Sequence, residues 1–117
     1  MIVDDHADMR RLLMSLITHY SYESVEFIEC QSGEDAIKKY PQNNPDYVLM
    51  DIELKSMSGF QVTEEIYKQN AGAKIIIVTS YDTPTFRRKA KDLHTTGFVS
   101  KDKLSDLQQF LHNITIN

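Results

Sequence analysis

Five side chains that end or follow apolar runs could do chemistry together. Asp4 and Asp5 follow Met1-Ile2-Val3, Asp51 follows Tyr47-Val48-Leu49-Met50, Thr79 follows Ile75-Ile76-Ile77-Val78, and Lys101 follows Gly97-Phe98-Val99-Ser100. Brought to one place, they offer carboxylates, a hydroxyl and an ammonium. Two unit charges about 5 Å apart repel by about 3 kcal/mol at an effective dielectric near ~20, so crowded carboxylates require a bound cation or a proton. Mg²⁺ takes one or two carboxylates, keeps waters and often binds phosphate oxygens. With Lys101 as a point charge and Thr79 as a hydrogen-bond donor, such a site suits a phosphoryl group. Asp51 can then act as a carboxylate nucleophile on phosphorus. Singly, each residue has a plainer reading: an Asp-Asp pair that starts a helix, a solvent-facing lysine, a threonine in a turn. Their joint placement at the ends of separate runs carries the chemistry.

That placement depends on the elements. Short apolar runs alternate with amphipathic stretches, the pattern of an α/β fold. Met1 to Val3 reads as a first strand, short enough to allow residues upstream of Met1. A helix over Ala7 to Tyr20 follows, with Met9, Leu12, Leu13, Leu16 and Ile17 on one face. Val25 to Cys30, with Glu26 and Glu29 interleaved, suits a strand at a sheet edge. Ser32 caps a second helix, with Asp35 three residues on, and Pro41 stops that helix at Tyr40. Tyr47–Met50 and Ile75–Val78 are apolar throughout, as strands buried on both faces are. Ser58 caps a third helix that turns Phe60, Val62, Ile66 and Tyr67 inward and ends near Gly72. Thr83-Pro84 starts a fourth, burying Phe86, Ala90 and Leu93. A last helix from Lys103 to His112 buries Leu104, Leu107 and Leu111.

Polar character at the second strand and apolar character at the third and fourth favour the strand order 2-1-3-4-5, with right-handed crossovers. A site then lies beyond the carboxyl ends of the strands, where the order switches between the first and third. Asp4, Asp5 and Asp51 fall there.

Composition narrows the classes further. The 117 residues carry a net charge of -4, with 41% hydrophobic and 26% charged, which fits one globular domain over residues 1–117. An acidic balance argues against direct nucleic-acid binding. The lone Cys30 excludes an internal disulfide and reads as a small buried residue. No apolar stretch approaches the ~20 residues of a membrane span, and charge directly after Val3 is unlike a signal peptide. His6, His19, His94 and His112 lack the spacing of a zinc site. His6 reads as a surface residue able to modulate the acidic pair beside it. Gly33, Gly59, Gly72 and Gly97 are scattered and form no phosphate-binding loop. Arg87-Arg88-Lys89 with Lys91 reads as a solvated helix face, or as a dimer or output contact with acids such as Asp102 and Asp106.

Val3-Asp4-Asp5-His6, Leu49-Met50-Asp51-Ile52, Met57-Ser58-Gly59, Val78-Thr79-Ser80 and Gly97-Phe98-Val99-Ser100-Lys101 resemble the receiver domain of two-component response regulators. They do so in order and spacing, with no gap needed between Asp51 and Gly59. The resemblance implies a flavodoxin-like (βα)5 three-layer sandwich. It implies Asp51 as phosphoacceptor, with phosphate from a histidine kinase or a phosphotransfer protein. Asp5 would bind Mg²⁺ directly, Asp4 through a water, and the Glu53 carbonyl would complete the protein ligands. Lys101 would pair with the phosphoryl oxygens. Thr79 would move toward that group while Phe98 turns inward, remodelling the face of the fourth helix, fifth strand and fifth helix. It also implies a cytoplasmic protein that catalyses only its own aspartyl phosphorylation and dephosphorylation.

Some positions depart from the pattern. Lys55 and Asp102 stand where proline is common, which leaves the Lys101–Asp102 bond open between cis and trans. Phe98 lacks the hydroxyl of the more common tyrosine. Glu53 and Tyr81, each two residues past a site residue, occupy positions that tune phosphoryl lifetime. The alternative is a pseudo-receiver, an interaction module that is not phosphorylated, against which the intact site residues argue. A phosphohydrolase would carry an aspartate at position 53, and a flavodoxin-like electron carrier would need a flavin phosphate loop after the first strand. The wording of the motifs also resembles receivers joined to helix-turn-helix DNA-binding domains. Residues 1–117 contain no such domain, so a stand-alone receiver and a piece of a longer regulator both remain open.

Overall fold

The structure is a computed structural model that describes residues 1–21 and 23–111. Its strands are β1 (Ile2–Val3), β2 (Glu29–Cys30), β3 (Val48–Met50), β4 (Ile75–Thr79) and β5 (Gly97–Ser100). They form one parallel sheet in the order β2-β1-β3-β4-β5, as polarity along the chain predicts. Helices α1 (Ala7–Tyr20), α2 (Gly33–Asn43), α3 (Gly59–Gln69) and α4 (Pro84–Asp92) connect the strands. A fifth helical segment, α5, coils as 3-10 turns over Lys101–Leu107 and continues over 108–111.

Alternation along the strands divides the core in two. Val3, Cys30, Val48, Met50, Ile75 and Ile77 pack with Ala36, Phe60, Val62, Ile66 and Ala90 from α2, α3 and α4. Ile2, Leu49, Ile76, Val78 and Val99 pack on the other face with Leu13 and Ile17 of α1 and Leu107 and Leu111 of α5. Ile75, Ile76 and Ile77 are fully buried, each contributing up to about 3 kcal/mol of transfer free energy. Among the described residues no helix is long and apolar enough to cross a membrane.

Several local expectations need correction. β2 covers only Glu29–Cys30 rather than Val25–Cys30, the two residues that pair with Ile2 and Val3 of β1. α2 runs through Pro41 to Asn43 instead of stopping at Tyr40. The proline leaves the Ile37 carbonyl without its helical N–H, and Gln69 Nε2 of α3 donates to that oxygen at 3.4 Å. The helix ends instead at Asn44 in the left-handed region (φ 44°), its N–H donating to Tyr40 O at 2.9 Å. α3 ends at Gln69, short of Gly72. On α1, Leu12 is solvent-facing at 44% exposure.

The start of α5 lies earlier than Lys103. Ser100 Oγ accepts the Asp102 N–H at 3.1 Å and begins the turn at Lys101, while Lys103 itself breaks it (φ −141°, ψ 61°). The expected end at His112 lies outside the described residues. Other helix starts follow their side chains. Ser58 and Gln61 form a full capping box, Thr83 accepts the Phe86 N–H at 3.1 Å, and Ser32 accepts the Asp35 N–H at 3.1 Å.

Candidate functional site

The carboxyl ends of β1 and β3 are locked side by side. The Asp51 N–H donates to Val3 O at 3.0 Å, and the Asp4 N–H donates to Cys30 O at 3.1 Å. Asp4, at the end of β1, and Asp51, at the end of β3, are therefore held by sheet hydrogen bonding into a common crevice, each with a side chain no more than 3% exposed. The loop after Asp51 returns closely. The Gly59 N–H donates to Ile52 O at 2.9 Å, and any Cβ at Gly59 would collide with the Asp51 carbonyl. That close approach is what the Met57-Ser58-Gly59 motif provides.

Lys101 reaches in from the end of β5. Its Nζ lies 2.9 Å from Asp4 Oδ2 and 3.4 Å from Asp51 Oδ2. Both carboxylates raise the lysine above its ordinary value despite burial, so it stays charged. Burial pushes the Asp51 carboxyl up to about 6, with Asp4 adding repulsion, while Lys101 and the Glu53 N–H pull the other way. That N–H donates to Asp51 Oδ1 at 3.3 Å. Asp51 is thus ionised at neutral pH, yet poorly solvated, as a nucleophile should be.

The two N-terminal acids differ. Both oxygens of Asp4 are engaged, one by Lys101 and the other by the His6 N–H at 2.9 Å. Asp5 Oδ1 is buried without a hydrogen-bond partner. Oxygens of Asp4, Asp5 and Asp51 and a ring nitrogen of His6 all lie within 4.8 Å of one another, a spacing suited to one cation. His6 is a surface residue, 71% exposed, whose ring also reaches the acidic pair beside it, as its sequence position suggested.

The remaining site residues line the same end of the sheet. Thr79 closes β4, fully buried, and its Oγ1 accepts the Tyr81 N–H at 3.1 Å. Tyr81, half exposed, is held above its ordinary value chiefly by a hydrogen bond to the Glu53 carboxylate. Phe98 lies on β5 beside Ile77 of β4, half-buried, with the Arg87 guanidinium 4.7 Å from its ring centre. Arg87 in turn forks onto Asp82, with its Nη2 at 2.9 Å from Oδ2. Lys55 is exposed, and the Lys101–Asp102 bond is trans, as are the other described peptide bonds. A separate cavity of about 670 Å³ opens at the other end of the sheet, near Met1, Tyr47 and Lys74. Asp4, Asp5 and Asp51 do not line that cavity.

Comparison with known proteins agrees with this geometry. The family model for the response regulator receiver domain matches residues 1–112. The chemotaxis protein CheY of Bacillus subtilis is 30% identical over 117 residues, spanning 100% of this chain and 96% of that protein. CheY of Thermotoga maritima is 40% identical over 80 residues, 68% of this chain and 65% of that one. Among solved structures, the response regulator TrrA of Thermotoga maritima, in complex with Mg²⁺-BeF, superimposes with a TM-score of 0.77 at 32% identity, covering 94% and 95% of the two chains. A LuxR-family DNA-binding response regulator from Staphylococcus aureus gives 0.82 at 29% identity, covering 99% and 97%. A match over residues 1–112, on a fold whose strand ends converge as described, makes this chain a member of the response regulator receiver domain family.

Proposed function

We propose that residues 1–117 act as one phosphorylation-controlled switch, in which Asp51 takes a phosphoryl group from a histidine kinase or a phosphotransfer protein with Mg²⁺ bound beside it. The observation that supports this most is the pairing of a buried, ionised Asp51 carboxylate, 3.4 Å from Lys101 Nζ, with the unpartnered Asp5 oxygen in the same crevice. An Asp51 oxygen attacks phosphorus, the bond from phosphorus to the donor's imidazole nitrogen breaks, and the imidazole leaves and regains a proton from solvent. The product on Asp51 is an acyl phosphate. Lys101 Nζ neutralises charge on the transferred oxygens, and its ion pair to Asp4 keeps it in place.

Asp5 and Asp51, with the Glu53 carbonyl, would hold Mg²⁺; Asp4, already bonded on both oxygens, would act through a water. Bound there, Mg²⁺ supplies charge stabilisation to phosphoryl oxygens. TrrA, 32% identical, is described with Mg²⁺-BeF, which supports carrying the cation over. On this reading the chain catalyses only its own phosphorylation and dephosphorylation and is not an enzyme for an external substrate.

Output follows from Thr79 and Phe98. When the Thr79 hydroxyl turns to the phosphoryl group, it releases the Tyr81 N–H, and Phe98 fills the space left. The face of α4, β5 and α5 then changes shape for an output domain, a second copy or a separate partner. The likeness to a LuxR-family DNA-binding regulator makes a DNA-binding output domain one candidate. A kinase donor implies a cytoplasmic setting. To test the core of this reading, the protein is incubated with Mg²⁺ and a small acyl phosphate, and intact mass is measured beside Asp51→Asn. Gain of one phosphoryl group by the wild type alone is expected. No gain, under conditions that load an authentic receiver, would favour the pseudo-receiver.

A further inference from the structure

One mostly buried guanidinium reaches the loop that carries the two N-terminal acids. Arg10 lies in the first turns of α1, where side chains lean back toward the helix start. Its side chain is only 13% exposed. Nη1 donates to the Asp4 carbonyl oxygen at 2.7 Å, and Nε donates to Glu29 Oε1 of β2 at 2.9 Å. On its other side Asp4 is tied to the sheet, its N–H donating to Cys30 O at 3.1 Å. Asp4 is thus held by β2 through its amide and by Arg10 through its carbonyl. The direction of that carbonyl is set by ψ at Asp4, the same rotation that aims Asp5 relative to Asp4.

We propose that Arg10 is a positioning residue for the acidic crevice: by holding the Asp4–Asp5 peptide it keeps Asp4 on Lys101 and leaves Asp5 free for the cation. Asp4 bonds to Lys101 Nζ at 2.9 Å, whereas Asp5 Oδ1 is buried without a hydrogen-bond partner. Two adjacent carboxylates therefore hold different tasks, and one backbone rotation decides whether both can be met. A hydrogen bond from a charged donor is among the stronger kinds, and the 2.7 Å length fits that class. Glu29 is 46% exposed, so its pair with Arg10 contributes little by itself; its part is to set the guanidinium plane. Arginine suits this place because its planar fork serves two acceptors at once, where lysine has a single nitrogen on a flexible stem. The charge works in the opposite direction, since a fixed positive group near the acids repels an incoming cation. Arg10 therefore helps the cation only through geometry. This rests on the reading of Asp5 and Asp51 as cation ligands.

The experiment titrates Mg²⁺ into the full chain by calorimetry, using wild type, Arg10→Ala and Arg10→Lys, with urea unfolding in EDTA as a separate measure of stability. Arg10→Ala is expected to weaken Mg²⁺ about tenfold, in the range found when outer partners of metal ligands are removed. Arg10→Lys keeps the charge and loses the fork, and is expected to weaken Mg²⁺ about threefold or more. Loss of positive charge alone would tighten Mg²⁺, and loss of general stability alone would lower the urea midpoint with affinity unchanged, so the direction of the change separates these roles. Affinity equal to wild type or tighter, in either variant, overturns the proposal and leaves the magnesium reading intact. A wild type that does not bind Mg²⁺ overturns both.

Discussion

Replacing Asp51 by asparagine should make the metal-free protein more stable, and the size of the gain should depend on pH. Burial raises the Asp51 carboxyl from 3.8 to about 6, which corresponds to about 3 kcal/mol between its ionised and neutral forms. The folded value lies above the unfolded one, so the folded state binds the proton more tightly. The stability this contributes is fully present below pH ~3.8 and is lost as pH rises through about 6. Wild type at pH 7.5 therefore carries the full cost of a buried carboxylate, which Asp51→Asn removes. Some of that gain is offset, because Lys101 loses a partner at 3.4 Å, but its bond to Asp4 at 2.9 Å remains. The Glu53 N–H, which donates to Asp51 Oδ1, keeps an acceptor in the amide oxygen. The net expectation is about 2 kcal/mol at pH 7.5, or about 8 °C in Tm for a chain of this size. The gap should narrow by about 2 kcal/mol between pH 7.5 and pH 4.5. Urea unfolding in EDTA at both pH values, followed by circular dichroism, measures it. A variant no more stable than wild type at pH 7.5, or a gap constant across that range, would refute the assignment of Asp51 as a buried, strained charge.

Mg²⁺ should raise the Tm of the wild type, by the equivalent of about 2.7 kcal/mol at a hundred times Kd. Asp5→Ala should abolish the rise, and a wild-type midpoint indifferent to Mg²⁺ would count against the acidic cluster as a cation site. Gly59→Ala forces a methyl group into the Asp51 carbonyl and should cost about 3 kcal/mol in urea unfolding; a loss below about 0.5 kcal/mol would mean the loop shifts freely. Arg87→Ala removes a guanidinium 4.7 Å from the Phe98 ring, worth about 0.5–1 kcal/mol, and should shift the balance of Phe98 ring positions two- to fivefold. Side-chain NMR of Phe98 reads this, and unchanged ring resonances would show that the Asp82–Arg87 pair does not restrain the switch. Glu53→Asn and Tyr81→Ala should each change the dephosphorylation rate of the loaded protein, since Tyr81 bonds to Glu53 beside Asp51; unchanged rates in both would end that idea.

The strand order was legible because parallel strands buried on both faces are apolar throughout, as Val48–Met50 and Ile75–Val78 are. Charge in the second strand left it the edge. What the sequence hid were features set by distant partners. Pro41 looked like a helix stop because its missing N–H and ring are local penalties, yet the freed Ile37 carbonyl finds Gln69 on the next helix. Likewise, Val25 to Ile28 have the composition of a strand, but only Glu29 and Cys30 pair with β1. Pairing needs a neighbour, and no property of the segment itself reports whether one exists.

The site was legible for the opposite reason: its residues conflict with the local rules that explain everything around them. Burying Asp4 and Asp51 with side chains no more than 3% exposed costs stability that a fold-neutral residue would not, so their presence at strand ends required a chemical cause. The same reasoning reaches its limit at His6. An exposed histidine at a helix start satisfies every local rule, and nothing in its residue type reveals where the ring points. Its position over Asp4 and Asp5 follows from the backbone turn that gives its N–H to Asp4 Oδ1. Residues that break packing rules announce themselves in sequence; residues that obey them and still reach a site are found only through geometry.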